Sequence, residues 1–123
     1  MTTYETLVEV AVYEYETAIA DATARKWAGT PASPDARGSR ADHLQRILRD
    51  LKLSVGCADC GYREHPAALE FDHVRGEKRF NLAKVRHHTP APTALRKELL
   101  KCEVVCSNCH HVRTATRYTV AVG

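Results

Sequence analysis

The sequence has no apolar run approaching 18 residues, so no helical membrane span is expected. Its opening, Met1-Thr2-Thr3-Tyr4-Glu5, lacks the basic-then-apolar layout of a secretory signal. Residence in the cytoplasm follows as the expectation, and disulfides are rare there. There are no internal repeats, which excludes a repeat array. Low complexity is confined to a linker that begins at Gly29-Thr30-Pro31-Ala32-Ser33-Pro34 and reaches Ser39.

What is present reads as one soluble globular domain, with 44% hydrophobic and 27% charged residues in 123. A chain of this size buries a modest core, which a bound metal would help to stabilise. The net charge of +3 conceals an asymmetry. Residues 1–40 carry six Asp/Glu and four Lys/Arg, whereas residues 41–123 carry nine and fourteen. A basic half suits a polyanion such as DNA, although a solvated basic face explains the same balance.

Residues 4–27 have the periodicity of a helix. Leu7, Val8, Ala11, Tyr15, Ala18, Ile19 and Ala22 recur at steps of three and four, and Thr3 is placed to cap the start. Residues 41–53 form a second helix with Leu44, Ile47, Leu48 and Leu51 on its buried face. Its Arg46, Arg49 and Lys52 read as a solvated face in preference to a DNA contact. Leu69-Glu70-Phe71-Asp72-His73-Val74 alternates like a strand, with Leu69, Phe71 and His73 on one side. A short helix over 93–100, a short strand over 103–105 and a last helix over 110–118 complete the pattern. The division expected is a helix and linker over 1–40 and a main domain over 41–123.

Two CxxC pairs, Cys57/Cys60 and Cys106/Cys109, are separated by 45 residues. Four thiolates on two tight turns can supply the tetrahedron of a structural zinc ion. A thioredoxin-type redox role does not fit, since neither pair sits between the strand and helix of a βαβ unit. Cys102 is either a competing ligand or, the preferred reading, a small buried apolar residue. Between and after the pairs lie Asp72, His73 and His110. A carboxylate is a hard ligand for Mg²⁺ or Mn²⁺, and an imidazole can accept a proton from water, which are the needs of phosphodiester hydrolysis. On a strand, however, Asp72 and His73 point to opposite faces, so a turn or twist at the strand end would be required to join them.

The order CxxC, Phe71-Asp72-His73-Val74, Phe80-Asn81-Leu82, then CxxC-His resembles the HNH endonucleases of the ββα-metal (His-Me finger) superfamily. The resemblance covers residues 55–117. Leu100 to His110 looks like small HNH proteins of bacteriophages and prophages. The resemblance implies an α+β fold with a ββα core, structural zinc knuckles and a helical N-terminal extension. It implies a DNA endonuclease or nickase in which Asp72 and His110 hold the catalytic divalent ion and His73 is the general base. His111 is the alternative to His110. Asn81 is the candidate for the family's middle asparagine, or else an ordinary turn residue. That asparagine commonly lies just before the second knuckle, where this chain has Lys101. Arg75, Lys78, Arg79, Lys84, Arg113 and Arg117 flank the site as candidate phosphate contacts. The alternative is a zinc-knuckle module that binds nucleic acid without cutting it. Docking of the N-terminal helix onto a phage packaging machine is compatible with the nuclease reading.

Overall fold

Apolar residues three and four apart build α1 (Tyr4–Trp27) in the computed structural model, which describes residues 3–27, 39–86 and 89–122. The Thr3 hydroxyl oxygen accepts the Thr6 N–H at 3.2 Å and so caps the helix. Val8, Ala11, Val12 and Tyr15 are buried, close to the stripe expected from the sequence. α2 (Ser39–Val55) buries Leu44, Ile47, Leu48 and Leu51, the four expected positions. α1 packs on α2 and on α3 (Pro92–Leu99), and the three enclose one core with Leu82, Val85, Leu95, Leu99 and Cys102.

Two tyrosines of α1 reach across this core with hydroxyls that find acceptors, as buried phenols require. Tyr4 donates to the Leu99 carbonyl at 2.7 Å and Tyr15 to the Pro90 carbonyl at 2.6 Å. The N-terminal helix thus shares its core with residues of the 41–123 segment. The expected linker falls mostly on residues 28–38, outside the described residues.

β1 (Leu69–His73) and β2 (Cys102–Cys106) form a two-stranded antiparallel sheet, with Leu69 opposite Cys106, Phe71 opposite Val104 and His73 opposite Cys102. Single turns of 3₁₀ helix over Pro66–Ala68 and Leu82–Lys84 were not foreseen from the sequence. α4 (Ser107–Val122) follows β2 directly and packs on both strands. The fold is α+β, with four α-helices and one sheet among the described residues. No helix among them is long and apolar enough to cross a membrane.

The pleat decides what meets at the site. Side chains alternate across the sheet, so Leu69, Phe71 and His73 share one face while Glu70 and Asp72 share the other. α4 brings His110, Arg113 and Arg117 to the Glu70–Asp72 face. α3 brings Glu98 to the His73 face.

Candidate functional site

The four cysteines of the two CxxC pairs come together. One sulfur from each of Cys57, Cys60, Cys106 and Cys109 lies within 4.8 Å of the others. Zn–S bonds of about 2.3 Å in a tetrahedron place sulfurs about 3.8 Å apart, and Cys60 and Cys106 stand at 3.7 Å. The set can therefore hold a metal ion such as zinc. Each knuckle turns back on its first sulfur: the Cys60 N–H points to Cys57 Sγ and the Cys109 N–H to Cys106 Sγ, both at 3.4 Å. Gly61 makes the exit from the first knuckle with φ +82°, a conformation that other residues avoid. Burial opposes ionisation of Cys57, but backbone N–H groups around it bring its thiol down to about 6. Its neighbour Cys109 is pushed up, chiefly by its hydrogen bond with Cys106 and by burial.

Cys102 stands apart from this cluster. It is fully buried, its Sγ faces the Glu98 carbonyl at 3.4 Å, and burial pushes its thiol up to about 12. That is the buried apolar cysteine expected.

Beside the cysteines, β1 and α4 bring Asp72 and His110 together. His110 Nε2 lies 3.5 Å from Asp72 Oδ1. On its other side His110 Nδ1 meets Glu70 Oε2 at 3.4 Å, at the long end of hydrogen bonding. A carboxylate behind a histidine directs its second nitrogen forward, as it does behind metal-bound histidines. Glu70 was not picked out from the sequence, although its place two residues before Asp72 on one strand face was the available signal. His111 is exposed, as its turn of about 100° around the helix predicts.

Asp72 is 4% exposed and is held by two arginines of α4. Arg117 Nη2 donates to Oδ2 at 2.7 Å and Arg113 Nη1 at 3.0 Å. Burial works against its ionisation, yet these guanidiniums hold its carboxyl below the ordinary value. Arg113 also donates to Glu103 at 2.9 Å and grips both oxygens of Asp59 at 2.6 and 2.7 Å. Asp59 lies inside the first knuckle, so Arg113 ties Cys57-to-Cys60 to Asp72 and to β2. Expected as a phosphate contact, Arg113 is committed to three carboxylates.

His73 occupies the opposite face. Its Nε2 stands 2.9 Å from Glu98 Oε2. Glu98, 1% exposed, also receives Lys101 Nζ at 2.8 Å and the backbone N–H groups of Arg79 and Phe80 at 2.9 and 3.4 Å. Burial alone would raise its carboxyl, but Lys101 and these donors bring it down to about 2. An ionised carboxylate only accepts, so His73 donates to it from Nε2 and turns Nδ1 away from it. Glu98 does not stand out in the sequence because a helical glutamate looks solvated; its place on the Leu95–Leu99 face of α3 is the clue.

Asn81 does not touch His73. Its side chain accepts the Ala83 N–H at 2.9 Å and caps the 3₁₀ turn. The loop after β1 is instead held by Lys101. Its carbonyl accepts the N–H groups of Val74 and Arg75 at 2.9 and 3.2 Å, and its ammonium donates to the Glu77 carbonyl at 2.6 Å.

No family model, curated protein or solved structure matches this chain. Function is therefore argued from these side chains.

Of the other expected phosphate contacts, Arg75 is tied to the Leu100 carbonyl at 2.6 Å, while Lys78, Arg79 and Lys84 have exposed side chains. His43 lies beside Arg46 at 3.2 Å and His65 is exposed. His87 and His88 fall outside the described residues.

Proposed function

We propose that the chain is a metal-dependent endonuclease of the ββα-metal type, hydrolysing DNA phosphodiester bonds. One observation carries the reading. Asp72 and His110 face each other at 3.5 Å, on β1 and on the helix that also carries Cys109 of the four-cysteine cluster. That cluster is the structural zinc site, and it fixes His110 one residue beyond Cys109.

Asp72 offers a hard oxygen and His110 a nitrogen, a donor pair that fits Mg²⁺, Mn²⁺ or a similar ion with its remaining positions open to water and phosphate. Such an ion supplies neutralisation of charge at the phosphate and at the leaving oxygen. Glu70 orients His110. Arg117, with its side chain half exposed, can exchange Asp72 for a phosphate oxygen. Glu98 holds His73 so that Nδ1 is the atom able to take a proton from water. His73 ends β1, and this role needs the water to sit at that strand end, within reach of both faces.

A second reading, a zinc module that binds nucleic acid without cutting it, is favoured by a specific observation. His73 is turned away from Asp72 and both Asp72 oxygens are engaged by arginines. Incubation with supercoiled plasmid across several divalent ions separates the two. Nicking or cutting that EDTA abolishes and His73→Ala lowers by about 10²–10⁴-fold, the usual range for a general base, supports the nuclease. Binding without cutting under every ion supports the module.

A further inference from the structure

The unpaired edge of β1 opens into a cleft of about 680 Å³ between α2 and the segment 78–85. Glu70 and His110 line it, and His110 faces Asp72 at 3.5 Å. Leu48, Leu69, Leu82 and Val85 close its floor from the core, and Phe71 is the half-buried aromatic ring in its lining. Arg49 and Lys52 line one side and Lys78 the other, against the single carboxylate of Glu70.

Two of these cations are uncommitted. Among the described residues neither Arg49 nor Lys78 forms an ion pair, and both side chains are exposed. The third, Lys52, donates to the Leu69 carbonyl at 3.1 Å and stands 5.8 Å over the Phe71 ring. Burial, then the neighbouring charge of Arg49, pulls its ammonium below the ordinary value. Positive charge here is thus concentrated and poorly neutralised. Arg113, also expected to meet a phosphate, is by contrast spent on three carboxylates.

We propose that this cleft binds an unpaired nucleic-acid strand, phosphates on Arg49 and Lys78 and a base against the Phe71 ring, and delivers it to His110 and its neighbour Asp72. A positive groove with apolar surface is how proteins hold single strands. The volume lies in the range of about 300–1,000 Å³ that accepts organic molecules of nucleotide size. The preferred substrate is then a single strand, flap or opened duplex. The inference rests on reading Asp72 and His110 as the cutting site, since the cleft leads to them.

The test is fluorescence anisotropy of the zinc-loaded full chain with a labelled oligothymidylate, across salt, without activating ion. Arg49→Ala with Lys78→Ala should weaken binding at least about tenfold and flatten the slope of log K against log salt by about 1.4, two phosphates' worth on a single strand. Arg46→Ala with Lys97→Ala, equally exposed cations outside the cleft, should change both much less. Equal losses in the two pairs would overturn the proposal. So would duplex DNA binding as tightly as the single strand, or polyglutamate competing as well as oligothymidylate. Thermal melts confirm that both variants fold. Asp72→Asn should bind the strand normally. A chain that binds as described but never cuts fails the nuclease reading alone. A chain that cuts without needing Arg49 or Lys78 fails this inference alone.

Discussion

Asp72 and Glu98 are the two buried carboxylates among the described residues, and they sit on opposite sides of one short sheet. Both are held ionised, but by different means. Glu98 accepts from two backbone N–H groups and from Lys101 within its own turn of chain. The two backbone donors cannot leave without unfolding the 77–80 loop. Asp72 has no backbone donor to its carboxylate among the described residues. It is held by guanidiniums, one of them on a half-exposed arginine. A carboxylate held by long side chains can change partners, whereas one held by backbone cannot. The difference marks the Asp72 side as the place for exchange chemistry and the Glu98 side as a fixed support for His73 and the loop after β1.

Substitutions at the sulfurs set the upper bound on this comparison. Cys57→Ser should release zinc and cost much of the fold, because structural zinc contributes about 10–16 kcal/mol in small zinc-finger peptides. Zinc content measured alongside thermal melting reads both effects. His110→Ala should retain the zinc; losing it as readily as Cys57→Ser would merge the proposed Asp72–His110 site with the cysteine cluster.

Glu98→Ala comes next. Removing one partner of a buried ionic group costs about 3–5 kcal/mol, since Lys101 and two N–H groups are left facing a void. Denaturant unfolding measures it, and the loss should accompany disorder of the 77–80 loop in hydrogen exchange. Asp72→Ala should cost less, about 1–3 kcal/mol, because Arg113 keeps Asp59 and Glu103 and Arg117 is half exposed, while cleavage falls to background. If the two substitutions destabilised equally, the contrast between fixed and exchangeable carboxylates would be wrong.

Acid sharpens the contrast further. Glu98 titrates near 2 when folded, against an ordinary value of 4.5. Its folded value is depressed, so its stabilisation is complete above about 4.5 and is lost as pH falls towards 2. Asp72 and Asp59 are lowered as well and act in the same direction. Glu98→Gln should therefore flatten the fall in stability between those limits without abolishing it. The smallest effect belongs to Arg117→Ala. An ion pair with one half-exposed partner contributes about 0–1 kcal/mol, so melting should barely move.

Much of this arrangement was legible in the sequence because its signals are local. CxxC spacing and the 3.6-residue periodicity of α1 and α2 need no knowledge of distant chain. Strand alternation already set Asp72 and His73 on opposite faces. What escaped depends on residues far apart in the chain. Glu98 is buried only because residues 77–80 fold over it. Arg113 reads as a free cation until Asp59, Asp72 and Glu103 converge on it from three other segments. The absence of an asparagine before the second knuckle was visible, but that Lys101 closes the loop there was not, since its carbonyl does half the work.

The central claim is that β1 and α4 carry a second, exchangeable metal site apart from the cysteines. Calorimetric titration of Mn²⁺ into the zinc-loaded chain tests it most directly, with wild type and Asp72→Asn compared at equal zinc content. One further Mn²⁺ site is expected in the wild type and its loss in Asp72→Asn, with zinc unchanged. Equal Mn²⁺ uptake by the two proteins, or none by the wild type, would contradict it.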